Sequence, residues 1–171
     1  MKVDSPYVEK LDVNYDASMN LIVNSSTPGN WKAIAGNQLQ ALDAVQKRVF
    51  ITDPYLFPKR ADASYEDDLK DLLANLNAAE IIFCANPTSN IFDPQLFQSV
   101  ATHLQGKGCV LTHNNTLSDC HDRFWYCPET QKAVVFGTSL NGLCKRICRV
   151  DELKPDEVTD LAAELQSRGI V

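Results

Sequence analysis

Three short apolar runs rich in β-branched and aromatic residues, 48–52 (RVFIT), 80–85 (EIIFCA) and 108–113 (GCVLTH), alternate along the chain with segments whose apolar residues recur at helical spacing. Strands that are apolar from end to end must be buried on both faces, and helical connections between them favour a parallel arrangement with helices above and below. The alternation therefore predicts an α/β fold: a mixed, mainly parallel sheet sandwiched by helices. A helix over 31–46 is capped by Asn30 and buries Trp31, Ile34, Ala35, Leu39, Leu42 and Val45. A second helix over 64–76 opens on Ser64-Tyr65-Glu66-Asp67, which has the pattern of a capping box. A third opens on Asp93-Pro94 and stops at Gly106. Residues 19–24 (MNLIVN) add a short strand before the loop 25–30. The first 16 residues are polar and aperiodic, and read as an arm preceding a single domain over 17–171.

The rhythm changes after residue 113. Residues 121–127 and 132–137 read as two strands joined by the turn Pro128-Glu129-Thr130-Gln131, a late antiparallel hairpin. A further strand covers 147–150. Pro155 then opens an amphipathic helix through Val158, Leu161, Ala162 and Leu165 that ends before Gly169.

A chain of 171 residues buries about 70% of its unfolded surface, so it needs neither a disulfide nor a metal to fold. None of the six cysteines forms a C-x-x-C pair, and they read as reduced thiols packed as small core residues. Cys120, beside His121, is the one whose reactivity bears on function. No segment approaches the roughly 20 apolar residues of a membrane span, and the first residues lack the apolar core of a signal peptide. The expectation is a cytoplasmic protein, and no cofactor or metal is implied. The formal net charge of −6 repels phosphate backbones at long range, so a nucleic-acid or anionic-lipid site has to be a local basic patch.

Functional residues in such sheets gather at strand ends. Thr52-Asp53-Pro54-Tyr55 is one chemically loaded end, Cys120-His121-Asp122-Arg123 a second, and Gly137-Thr138-Ser139-Leu140-Asn141-Gly142 a third, followed by Lys145-Arg146. His121 and Arg123 are two apart, which puts both side chains on one face of a strand and Asp122 on the other. An imidazole beside a guanidinium suits an oxyanion, and the glycine turn offers backbone N–H groups, the Ser139 hydroxyl and the Asn141 amide. Arg123 reads equally as half of a structural ion pair with Asp53 or Asp122. Of the tryptophan and tyrosine in the hairpin, Trp125 and Tyr126, one is expected in the core and the other free to stack on a ligand or partner.

The order H-x-(K/R), short hairpin, G-(x)-S-x-N resembles the active-site motif of the phospholipase D superfamily, HxK(x)4D followed by GSxN. The phrase HDRFW…VVFGTSLNGLCKR is most similar to a divergent branch with H-D-R in place of H-x-K. That branch resembles the phospholipase D-like domains that follow microtubule-interacting-and-trafficking domains, and bacterial relatives tied to mobile elements and phage defence. The resemblance implies a phospholipase D-like fold and metal-free phosphodiester chemistry through a phosphohistidine. Carried over, it makes His121 nucleophile or acid, puts Arg123 at the lysine position and makes Ser139 and Asn141 the phosphate-binding pair, with Lys145 and Arg146 adding charge. The motif occurs once, whereas the family uses two, so an active form implies a homodimer or hetero-assembly.

The sequence also departs from the family pattern. Pro128 stands where the family has its aspartate, which leaves Asp53 and Asp122 as the candidates to orient His121, and Thr138 is inserted between the glycine and the serine. These departures favour a degenerate domain that recognises phosphate groups, of nucleic acid or phospholipid, or a protein partner. It would serve as an accessory component of a larger bacterial assembly such as phage defence. The alternative is an active metal-independent phosphodiesterase or nuclease working through His121 in a homodimer.

Overall fold

The apolar runs form strands because nothing else can bury them: Val49, Phe50, Ile51 and the whole of Ile81–Ala85 lose nearly all contact with solvent. The structure, a computed structural model, describes residues 20–24 and 30–171; the expected arm over 1–16 and residues 25–29 of the expected loop lie outside them. In chain order the elements are β1 (Asn20–Val23), α1 (Trp31–Leu39), β2 (Arg48–Ile51), α2 (Tyr65–Asn75), β3 (Glu80–Ala85), α3 (Pro94–Gln105), β4 (Val110–Leu117), β5 (Arg123–Cys127), β6 (Lys132–Phe136), β7 (Cys148–Glu152) and α4 (Pro155–Ser167). Among the described residues the seven strands make one open sheet in the order β1-β7-β6-β5-β2-β3-β4.

The sheet is mixed, as expected, but not mainly parallel. β2, β3 and β4 pair in parallel. The other neighbours, β1/β7, β7/β6, β6/β5 and β5/β2, are antiparallel. The cause is connection length. Among neighbouring strands, only β2–β3 and β3–β4 are joined by helices long enough to carry the chain back for a parallel return, whereas a four-residue turn joins β5 to β6 and forces reversal. β5 is also inserted against β2, at Phe50↔Tyr126 and Ile51↔Trp125, rather than continuing outward from β4.

Three helix and strand boundaries differ from the sequence reading, each for a local reason. α1 gives way at Leu39 to a 3₁₀ turn (Gln40–Leu42), and Asp43 then takes a left-handed backbone, which leaves Val45 exposed. Ser64 adopts helical torsions, so its hydroxyl makes no capping bond to α2, and the expected capping box is absent. β4 runs on to Leu117 because an edge strand tolerates the polar stretch His113–Thr116 that ends the apolar run. Other signals match: Asn30 accepts the Ala33 N–H at 2.9 Å and Asp93 accepts those of Gln95 and Leu96.

Side-chain alternation divides the core in two. Val49, Ile51, Ile81, Phe83, Trp125, Val134, Phe136 and Val150 face α1, α2 and α3. Phe50, Ile82, Cys84, Tyr126 and Ala133 face α4. Trp125 and Tyr126 are therefore both core residues, one on each face, and neither is free to stack on a ligand. No helix among the described residues is long and apolar enough to cross a membrane.

Strand directions bring the ends of β2 and β6 and the starts of β5 and β7 to one edge, here called the upper end. Gly137 marks where β6 arrives there. Its N–H donates to Arg149 O at 2.8 Å, and a Cβ would stand 3.2 Å from both Arg149 N and O. Gly137→Ala should therefore cost about 1–3 kcal/mol in urea unfolding. Gly106→Ala, at a right-handed helix end where the nearest atom would be 3.4 Å away, should change stability by less than about 0.5 kcal/mol. Equal costs for the two would refute the packing argument.

Candidate functional site

At the upper end, two consecutive residues of the β2 terminus organise everything around them. Thr52 is buried, and its backbone N–H donates to Phe124 O at 3.0 Å. Its hydroxyl accepts the Phe124 N–H at 2.9 Å and donates to Asp122 O at 3.1 Å. Thr52 thus staples the 120–124 segment to β2 from both directions. Cys120 packs into this staple, with Sγ 3.1 Å from Asp122 O and 3.5 Å from Thr52 Oγ1. Burial pushes its thiol pKa up, which disfavours the nucleophilic thiolate.

Asp53 is fully buried. One carboxylate oxygen accepts the Tyr55 N–H at 2.9 Å, and Arg123 Nε lies 4.0 Å from that same oxygen. Desolvation pushes the Asp53 pKa up to about 6, against the opposing pull of the Tyr55 and Leu140 amides and the Arg123 charge. Arg123 also donates from Nη1 to His121 O at 2.6 Å and lies 5.7 Å over the Tyr55 ring. The structural ion pair is therefore with Asp53, a contact that leaves Arg123 Nε and Asp53 Oδ2 buried without a hydrogen bond among the described residues. Tyr65 closes the other side of the site: its hydroxyl donates to Leu56 O at 2.8 Å, and burial together with the Asp53 charge holds its pKa well above the usual value.

The remaining expected site residues surround this pair. β5 begins at Arg123, so His121 lies in the loop before it and not on the strand face shared with Arg123. Its ring is exposed and makes no hydrogen bond or ion pair among the described residues; Asp53 turns to Tyr55, Leu140 and Arg123, and Asp122 is exposed. The glycine turn spends much of its backbone internally. Gly137 N–H goes to Arg149 O and Gly142 N–H to Ser139 O, and the Leu140 amide favours the Asp53 carboxylate. What it leaves for a ligand is the half-buried pair of side chains Ser139 and Asn141. Lys145 donates to Asp62 at 2.6 Å, while Arg146 is exposed.

That Lys145–Asp62 contact closes the 53–64 loop onto the 143–146 loop, which brings Lys59 and Arg60 into the same group of loops. Sequence reasoning missed these two, although a basic doublet just after a strand end was the same signal that singled out Lys145-Arg146. His113, by contrast, is occupied elsewhere: its ring contacts Phe83, Phe92 and Phe97, and Nε2 lies 2.7 Å from Ala85 O. No protein-family model matches this chain, and no curated protein matches it.

Two outcomes test this construction. Thr52→Val keeps the shape and removes the hydroxyl, stranding Phe124 N–H and leaving Asp122 O with the Cys120 thiol alone; denaturation should show a loss of about 2 kcal/mol, with Thr52→Ser close to wild type. Asp53 should give a pH signature. Its folded pKa of about 6 lies above the ordinary 3.8, so its contribution to stability is full below about pH 4 and is lost as pH rises through 6. The wild-type unfolding midpoint, measured against Asp53→Asn from pH 4 to 7, should fall relative to the variant as pH increases. A difference that is flat or of opposite slope would refute the raised pKa.

Proposed function

We propose that this chain is a phospholipase D-like module that binds phosphate groups with its upper loops and does not turn them over. The observation that carries the reading is a division of labour at that end. Arg123 and Lys145 are engaged by Asp53 and Asp62, fixing the loops, while the side chains of His121, Ser139, Asn141 and Arg146 make no hydrogen bond or ion pair among the described residues. Two neutral donors, an imidazole and a guanidinium are suited to a phosphate monoanion or dianion. They also supply the local basic patch that a chain of net charge −6 needs to hold one.

Against turnover stands the environment of His121. A phosphohistidine mechanism needs an imidazole whose tautomer and direction are set by a carboxylate, and loss of that partner in a comparable histidine system costs about four orders of magnitude. Asp53, the buried carboxylate that the sequence offered to orient His121, is turned instead to Arg123 and a backbone amide.

The test is binding of a fluorescent single-stranded 12-mer DNA and of vesicles containing phosphatidic acid, in EDTA, with phosphodiester cleavage followed in parallel. Either source of phosphate should bind, with Arg146→Ala and Asn141→Ala each weakening it about tenfold, the worth of one charge-assisted hydrogen bond. His121→Ala should have a smaller effect. Binding to neither probe refutes the reading. Cleavage by wild type that disappears in His121→Ala establishes the phosphodiesterase instead.

A further inference from the structure

The two faces of the sheet are unequally covered. α1, α2 and α3 close one face, whereas on the other α4 alone buries Val158 and Leu165 against Phe50, Ile82, Cys84, Tyr126 and Ala133. Those partners belong to β2, β3, β5 and β6, so the rest of that face, over β5, β6 and β7 toward the upper end, has no helix above it among the described residues. Phe124, Val135 and Asp151 are successive cross-strand neighbours there. With Gly137 they floor a groove of about 600 Å³ whose other wall is α4. Phe124 and Val135 are only partly buried, while Trp125, Tyr126, Val134 and Phe136 beside them in the same strands are fully buried. Ile22, opposite Arg149 on the neighbouring edge strand, is 51% exposed. Apolar side chains left open in the middle of a sheet face mark a surface completed by something else.

Charge states what that something is. Among the described residues the rim carries five carboxylates, Asp122, Asp151, Glu157, Asp160 and Glu164, and one cation, Arg149, which is bonded to Asp151. Glu164 is paired with Arg168, and Glu157 accepts the Lys154 N–H at the start of α4. Asp122 and Asp160 are exposed and form no ion pair among the described residues. Both line the groove, Asp122 from the sheet end and Asp160 from the helix. A second copy of this chain, with its own net charge of −6, is a poor match for such a rim.

The geometry points to a docking groove for a cationic amphipathic helix of a partner protein, laid alongside α4 as the second helix of that layer. Its apolar stripe covers Phe124, Val135 and Leu161, and its lysines or arginines reach Asp122 and Asp160. The wall from Glu157 to Glu164 is about 10 Å long, so two to three helical turns suffice. This inference does not depend on the phosphate reading, because the groove lies on the α4 side of the sheet and the ligand-facing side chains lie in the loops at its end.

The test uses the full chain, isotope-labelled, and an acetylated 15-residue Leu/Lys peptide with leucines at helical spacing. Amide shifts should concentrate at Phe124, Val135, Gly137 and Leu161. A scrambled peptide of the same composition should bind at least about tenfold more weakly, since it has the charge and not the stripe. Asp122→Asn/Asp160→Asn should lose about tenfold, and Val135→Asp, which acts on the floor, should lose at least as much; thermal melting checks that each variant is folded. The inference falls if the scrambled peptide binds equally, if the shifts lie outside the groove, if the double variant binds like wild type, or if light scattering without peptide gives a mass twice the 19.0 kDa of one chain.

Discussion

A buried carboxylate beside a guanidinium, Asp53 with Arg123, is the interaction on which the upper end depends. Taking a charged aspartate fully out of water is unfavourable, and the protein offsets this only in part, with the Tyr55 and Leu140 amides and an arginine 4.0 Å away. In return the pair ties together three segments distant in sequence: the end of β2, the start of β5 and the turn after β6. Arg123 then passes the constraint on to the His121 carbonyl and the Tyr55 ring. Thr52 adds the neutral half of the same arrangement by meeting both backbone groups of Phe124. The anion that faces the Arg123 guanidinium at this end is therefore the protein's own.

That fact changes what an anion-binding motif means here. Backbone amides in a glycine turn and an arginine two residues after a histidine are generic anion ligands. Here an internal carboxylate, Asp53, faces the arginine and accepts backbone amides. The upper loops carry both signs, Asp53 and Asp62 against Arg123 and Lys145, whereas carboxylates predominate along α4 and the sheet face beside it.

The sequence made the local elements legible and left the pairing partly hidden. Apolar runs such as 80–85, the Asn30 and Asp93 caps and Pro155 announced their elements because each acts within a few residues. The parallel β2–β3–β4 unit could be read for the same reason. The placement of β5 beside β2 could not, because nothing in Arg123–Cys127 names its neighbour and the choice is made by packing Trp125 and Tyr126 into opposite layers. For the site, the sequence named three strand-end segments that do meet at the upper end, and it offered Asp53 or Asp122 as a mate for Arg123. It could not tell that His121 falls outside the strand, that Lys145 is claimed by Asp62, or that the Leu140 amide turns inward, since each is decided by loops meeting in space.

The register of the outer strands has a consequence for how the chain reaches this state. β1, near residue 20, can find its place only on β7, near residue 150, and β5 must return to β2 across the whole β3–α3–β4 passage. Such long loops must close before their contacts repay the lost chain entropy, whereas β2 to β4 with their intervening helices form from nearby partners. During synthesis the middle of the chain can order itself early while Asp53 waits without its arginine. The upper end is complete only after β7 has left the ribosome, because Gly137, at the end of β6, is held by the Arg149 carbonyl of β7.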